Sequence, residues 1–170
     1  MQGATSIHLR RHLLVLAAAL ALPLAAAAQQ QGSALLERYG RVVALHDYVT
    51  GHVGELLLVC AALKVLTDAD AEARYQAYRT RNAGMLERAA RWQQEAEQRL
   101  KAQGEERAGM QRGQEASANA TALASVRANS VIGKAKDPRE ACTVRLAAIE
   151  SGQYDLQRNE ELVSLLKANP

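Results

Sequence analysis

The stretch SALLERYGRVVALHDYVTGHVGELLLVCAAL, residues 33–63, decides the fold. Leu35, Tyr39, Val42, His46, Val49, Val53, Leu56, Cys60 and Leu63 follow one another in steps of four and three. That is an unbroken heptad seam, the signature of a helix packed along its length against other helices. Leu36, Val43 and Leu57 widen the stripe on one side, as a bundle interior requires. Ser33 is the expected N-cap. Gly51 and Gly54 interrupt the seam, each weakening a helix by up to about 1 kcal/mol relative to Ala, and mark a kink or a close helix contact.

Downstream of this helix, Thr67 to Asp70 carries capping chemistry for a second one. That helix is expected to run to about Gln103 with a seam of Ala71, Tyr75, Tyr78, Asn82, Met85, Ala89, Trp92 and Ala96. Folded back as an antiparallel hairpin, the two helices face each other at residue numbers summing to roughly 135, which sets Trp92 near Val42 and Ala89 near His46. Asn82 on the seam fixes register through a hydrogen bond, at a cost in stability.

The segment 104–134 carries Gly104, Gly109 and Gly113, which lower helix propensity. A helix is expected from about 114, with Ala116, Ala120, Leu123, Ala124, Val126, Val131 and Ile132 along its face, and whether 100–113 is ordered is left open. Its Ala, Gln, Glu and Ser bias predicts a solvated, weakly packed helix. The fourth helix has the clearest start: Asp137 as cap, Pro138 at the first turn and Glu140 three residues after the cap. Cys142, Leu146 and Ile149 form its stripe; Ser151-Gly152 breaks it, and Leu156, Leu162, Val163, Leu165 and Leu166 resume the pattern. The chain has no Phe, is rich in strong helix formers, and shows no sustained two-residue alternation, so it reads as all-α: an antiparallel up-down bundle of about four helices.

In that topology the first helix ends at the pole where the fourth begins. Cys60 and Cys142, the only two cysteines, both fall roughly 6–9 Å below that pole at 1.5 Å per residue. A disulfide between them is expected, worth about 4 kcal/mol in the chain-entropy model. It requires an oxidising compartment, and the N-terminus supplies a route to one. Arg10-Arg11, an apolar run from Leu13 to Leu24, and the small-x-small pair Ala26 and Ala28 before Gln29 read as a cleavable secretory signal over residues 1–28. The remaining 29–170 form one helical-bundle domain without a further spanning segment, in a periplasmic or secreted location. The arginine pair leaves open general secretion or the twin-arginine route.

Signal removal changes the charge balance. The full chain has 21 Lys+Arg against 18 Asp+Glu, and the signal carries two Arg and no acid, leaving 19 against 18, or +1. A nearly neutral domain is not built for nucleic acid. Arg74, Arg81 and Arg88 recur every seven residues beside the second seam. They form either a stripe for an anionic surface or envelope partner, or inter-helix pairs with acids such as Glu37, Glu55 or Glu150.

Catalytic patterns are missing: no His-Glu-x-x-His, Gly-x-Ser-x-Gly or phosphate-binding glycine loop occurs. No Cys-x-x-Cys-His is present, so covalent haem attachment is excluded by motif. His46 and His52 are six apart and point to different faces of one helix, which argues against a metal centre. A non-covalent haem or ligand site in the bundle interior would use His46 with Met85. Asn119-Ala120-Thr121 is a formal glycosylation sequon. The expectation is a non-enzymatic, exported helical protein without a cofactor, acting through an envelope contact at Arg74, Arg81 and Arg88 or at 100–120. The alternative is a small-ligand, haem or metal carrier. The heptad seam would equally serve a homodimer.

Overall fold

A computed structural model describes the backbone of residues 5–170 and the side chains of residues 32–170. The side chains of the signal sequence expected at 1–28 lie outside the described residues. The architecture is all-α: α1 (Thr5–Ala62), α2 (Asp68–Arg81), α3 (Ala83–Ala102), α4 (Glu106–Gly133), α5 (Pro138–Glu150) and α6 (Glu160–Lys167), with one 3-10 turn at Leu156–Arg158 before α6. Four rods result. α1 runs up, α2 and α3 together run down, α4 runs up, and α5 with α6 runs down.

The pairings fix these directions. Tyr39 meets Glu97 and Gly54 approaches Tyr75, so the second rod is antiparallel to α1 in the expected register. Arg139, at the start of α5, donates to the carbonyls of Leu63 and Lys64 where α1 ends. At the other end Trp92 Nε1 donates to Ala168 O at 3.0 Å, and the Arg38 guanidinium sits 4.9 Å over the Trp92 ring while donating to the carbonyls of Leu165, Ala168 and Asn169. Those carbonyls close α6, so a cation there meets the negative end of the helix.

The cysteines meet as expected. Cys60 and Cys142 are both fully buried and joined, with their Cα atoms 5.6 Å apart across 82 residues of sequence. The ends around this staple are individually closed. At Lys64 the backbone adopts a left-handed φ of 58°, and Val65 N–H returns to Cys60 O while Lys64 N–H returns to Ala61 O. That is a Schellman closure. Gly104 and Gly152 close α3 and α5 the same way, at φ of 78° and 75°. Thr67 and Asp70 form the reciprocal capping box of α2, and Asp137 accepts from the N–H groups of Arg139 and Glu140.

Three expectations are corrected. Ser33 does not cap α1, because the helix continues N-terminal of it. The second rod is two helices, broken at Asn82. The third correction is the largest: α4 begins at Glu106 and is the most extensive partner of α1. Gly113 abuts Tyr39 and Ala124 abuts Gly51, so numbers rise together and the two helices are parallel. Gly109, Gly113, Ala116, Ala120, Ala124, Ala128 and Ile132 are buried, forming a seam of nearly bare backbone. A Cβ on Gly113 would lie 3.0 Å from the Tyr39 ring, and one on Gly109 would lie 2.9 Å from Leu100 Cδ1. In a regular up-down bundle the first and third rods are diagonal. Here small residues let that diagonal collapse, so α4 is a packed element and not a solvated one.

Two apolar clusters fill the interior. One gathers Leu35, Val42, Trp92, Leu100, Leu162 and Leu166 at the α6 end. The other gathers Val53, Leu56, Tyr78, Ile132, Leu146 and Ile149 around the disulfide. The segment Gly32–Ala62 is long and apolar enough to cross a membrane by length and composition alone. Six of the nine heptad-seam residues, Leu35, Tyr39, Val42, Val53, Leu56 and Cys60, are buried in the bundle.

Candidate functional site

A cleft of about 620 Å³ lies between α1, α3 and α4. The bare backbone of Gly109 and Gly113 lies directly against Leu100 and Tyr39, and Gln93, Gln94 and Gln98 of α3 line the cleft with them. Its walls mix Val43, Leu100 and the exposed Met110 with Tyr39, Asp47 and Glu97. Tyr39 Oη donates to Glu97 Oε1 at 2.7 Å. Burial, and then this bond to a carboxylate, push the Tyr39 phenol well above its ordinary value, so it stays a donor. Burial alone would raise the Asp47 carboxyl. Hydrogen bonds from His46, whose Nδ1 donates at 2.7 Å, and from Ser117 outweigh it and hold Asp47 below the usual carboxylate value.

This arrangement presents fixed acceptors and amides beside an apolar floor, with the one Tyr39 O–H held by Glu97. It can orient a polar ligand or a peptide segment. It does not assemble a nucleophile relay, because Asp47 sits between His46 and Ser117, and the order hydroxyl to imidazole to carboxylate is not formed.

A second polar centre is internal. Asn82, 1% exposed, donates from Nδ2 to Tyr78 O (2.9 Å) and Asp155 Oδ1 (3.2 Å) and accepts the Leu156 N–H at 2.8 Å. The buried Asp155 also receives Arg81 Nε on both oxygens, at 2.9 and 3.0 Å, and Arg81 donates further to Ile149 O at 2.7 Å. Gly152 is required there, since a Cβ would stand 2.7 Å from Asp155 Oδ2 at a left-handed φ. The node ties the α2–α3 break to the α5–α6 connection. Close by, the Tyr78 hydroxyl is buried without a hydrogen-bond partner, and burial together with the Asp155 charge pushes its pKa above the ordinary phenol value.

The remaining candidates fall as follows. Arg74 pairs with Glu150, one of the acids named for inter-helix pairing, and Arg81 with Asp155, which was not among them. Arg88 is exposed. The three arginines thus reach different surroundings. His46 is held by Asp47, while Met85 packs against the apolar cluster at the α6 end. No group of three or more His, Cys, Asp or Glu that could hold a metal occurs among the described residues. Sequence reasoning missed Glu97, Ser117 and Asp155. Only Asp155 carried a signal, three residues beyond the helix-stopping Gly152. His52 is also more than a seam neighbour: it is buried, stacked on Tyr48 at 5.7 Å and edge-on to Tyr154 at 5.8 Å.

No protein-family model matches this chain, and neither a curated protein nor a solved structure shows similarity to it.

Proposed function

We propose that this chain is an exported, disulfide-stapled helical bundle of the cell envelope that works by binding a partner and not by catalysis. The Cys60–Cys142 bridge carries the reading: both cysteines are committed to it, it closes one pole of the bundle, and it belongs to an oxidising compartment. The N-terminal apolar segment supplies the route to that compartment, and residues 29–170 would be the mature domain. The internal engagement of His46, Tyr39, Ser117 and Asp155 supports a non-enzymatic role. The α1 seam is consumed within one chain, so a homodimer would have to use another surface.

The α1/α3/α4 cleft, lined by part of the 100–120 segment, is the surface this reading assigns to the partner. A photo-crosslinking residue placed at Gln98 or Gln114 on its rim should trap one envelope component, competed away by unmodified protein. The same residue at Gln76 on α2 should not. Equal labelling from all three positions would remove the cleft from the account. Fusing residues 1–60 to a reporter enzyme active only outside the cytoplasm tests export, and an inactive fusion would remove the localisation.

One observation favours a second reading, a carrier of a small ligand. The cleft volume falls within the ordinary range of ligand sites. Native mass spectrometry of protein purified from its own envelope would show a retained mass on this reading. A bare polypeptide mass, with no thermal shift on adding haem or divalent metals, would leave the protein-binding reading alone.

A further inference from the structure

A separate pocket lies further along α4 toward the disulfide, with a volume of about 240 Å³. Its walls come from four places: Tyr48 and His52 on α1, Arg127 on α4, Arg145 on α5 and Tyr154 in the turn after α5. We infer that this pocket is a binding site for a small oxyanion, a carboxylate or phosphate carried on a compact, planar or aromatic body.

Charge is the first argument. Both charged residues of the lining are arginines, and no acid joins them. Neither has an acid three or four residues away on its own helix: Arg127 has Leu123, Ala124, Ser130 and Val131 there, and Arg145 has Ala141, Cys142, Ala148 and Ile149. Neither forms an ion pair among the described residues. The contrast with Arg74, Arg81 and Arg41, each paired with a carboxylate, is one of position and not of residue type. Arg145 donates one bond, from Nη1 to Tyr154 Oη at 3.3 Å, leaving most of its five donors for another acceptor. Two guanidinium groups that line one small pocket without a counter-charge repel each other. A bound oxyanion removes that repulsion and matches the planar guanidinium fork.

Shape is the second argument. His52 is buried, and its Nδ1 donates to Ala124 O at 3.3 Å, which orients the ring. Tyr48 lies parallel to it and Tyr154 edge-on, so three rings build a pre-ordered apolar wall beside the cations. Water occupies about 30 Å³ per molecule, so the pocket has room for an oxyanion with a small ring attached and not for an extended polymer. Both guanidinium charges reach His52. Burial first, and then these two charges, keep its imidazole below the ordinary value despite the bond to Ala124. An anion seated between the arginines cancels part of that field, so its arrival is readable at the ring.

The experiment is an NMR titration of His52 in the full mature protein, at constant ionic strength in chloride, with added sodium benzoate in one arm and inorganic phosphate in the other. The expected result is a saturable rise in the His52 pKa in at least one arm. Saturation by benzoate at lower concentration identifies an aromatic acid, and saturation by phosphate alone identifies a bare or phosphorylated oxyanion. Arg127→Gln and Arg145→Gln should each weaken the midpoint at least tenfold, while Arg88→Gln should leave it unchanged. Arg127→Lys, which keeps charge but loses the fork, should fall between, and it covers the case in which a glutamine variant fails to fold. A linear, unsaturable shift equal to that of chloride, or equal midpoints in all variants, overturns the site.

Discussion

Replacing Asn82 by alanine separates two physical pictures of this bundle by sign. If Asn82 were a polar residue on a coiled-coil seam, removing it would sacrifice register specificity and gain stability. In the folded chain it does something else. Its Oδ1 takes the Leu156 N–H at 2.8 Å where Leu156 is fully buried, and its Nδ2 serves Tyr78 O and the Asp155 carboxylate. Truncation strands a buried amide, which costs about 1–3 kcal/mol, and withdraws a donor from a buried carboxylate, worth about 1.5–3 kcal/mol. Asn82 stands at the break between α2 and α3, so no helix-interior propensity offsets these costs. The net loss is about 2.5–6 kcal/mol, or roughly 8–20 °C in Tm at the size of this domain. Urea denaturation of the oxidised protein followed by circular dichroism measures it. Asn82→Asp should be worse, since it sets a second carboxylate against Asp155. An Asn82→Ala protein as stable as the parent, or more so, would refute the reasoning that Asn82 is a tertiary junction.

The glycines of the α1–α4 contact predict opposite outcomes from one substitution: Gly51→Ala meets only Ala124 Cβ at 3.5 Å and should stabilise by up to about 1 kcal/mol, whereas Gly113→Ala presses on a Tyr39 ring fixed by Glu97 and should destabilise, both read in the same denaturation assay. Lys64→Gly should raise stability by about 1 kcal/mol, because the left-handed closure of α1 is made by a residue with a Cβ. His52 gives a pH dependence. Its folded value lies below the unfolded value near 6.5, so as pH falls through 6.5 the unfolded chain takes a proton that the native chain refuses, and stability drops until the folded value is passed. Denaturation at pH 7.5, 6.5 and 5.5 should show that slope, at most about 1.4 kcal/mol per pH unit from this group, and His52→Gln should flatten it.

What sequence could convey was local chemistry and periodicity. The α1 heptads, the Thr67 capping box, the Asp137-Pro138 start and the break at Gly152 all depend on residues within a few positions of one another, and each appears in the structure. The cysteine pairing was legible because topology placed both at one pole. The α1–α4 contact was not, since propensity counts Gly109 and Gly113 as weaknesses, while the fold uses their lack of a side chain. Asn82 was visible as an anomaly, but its partner Asp155 lies 73 residues away in a turn. Long separation also hid the cleft acids, and Arg127 and Arg145 line one pocket because α4 and α5 both pack beside α1. Part of the arginine heptad resolved into the inter-helix pair Arg74–Glu150, which periodicity alone cannot distinguish from a surface stripe.

The most direct test is a peptide map of the protein recovered from its native compartment under alkylating, non-reducing conditions. An exported, stapled bundle predicts a chain beginning at or near Gln29, no alkylated cysteine before reduction, and one cross-linked peptide pair joining Cys60 to Cys142. Breaking that link should then lower stability by about 4 kcal/mol, the chain-entropy value for a closed loop of 82 residues. Two freely alkylated thiols on a chain still carrying residues 1–28 would contradict both the compartment and the role of the bridge.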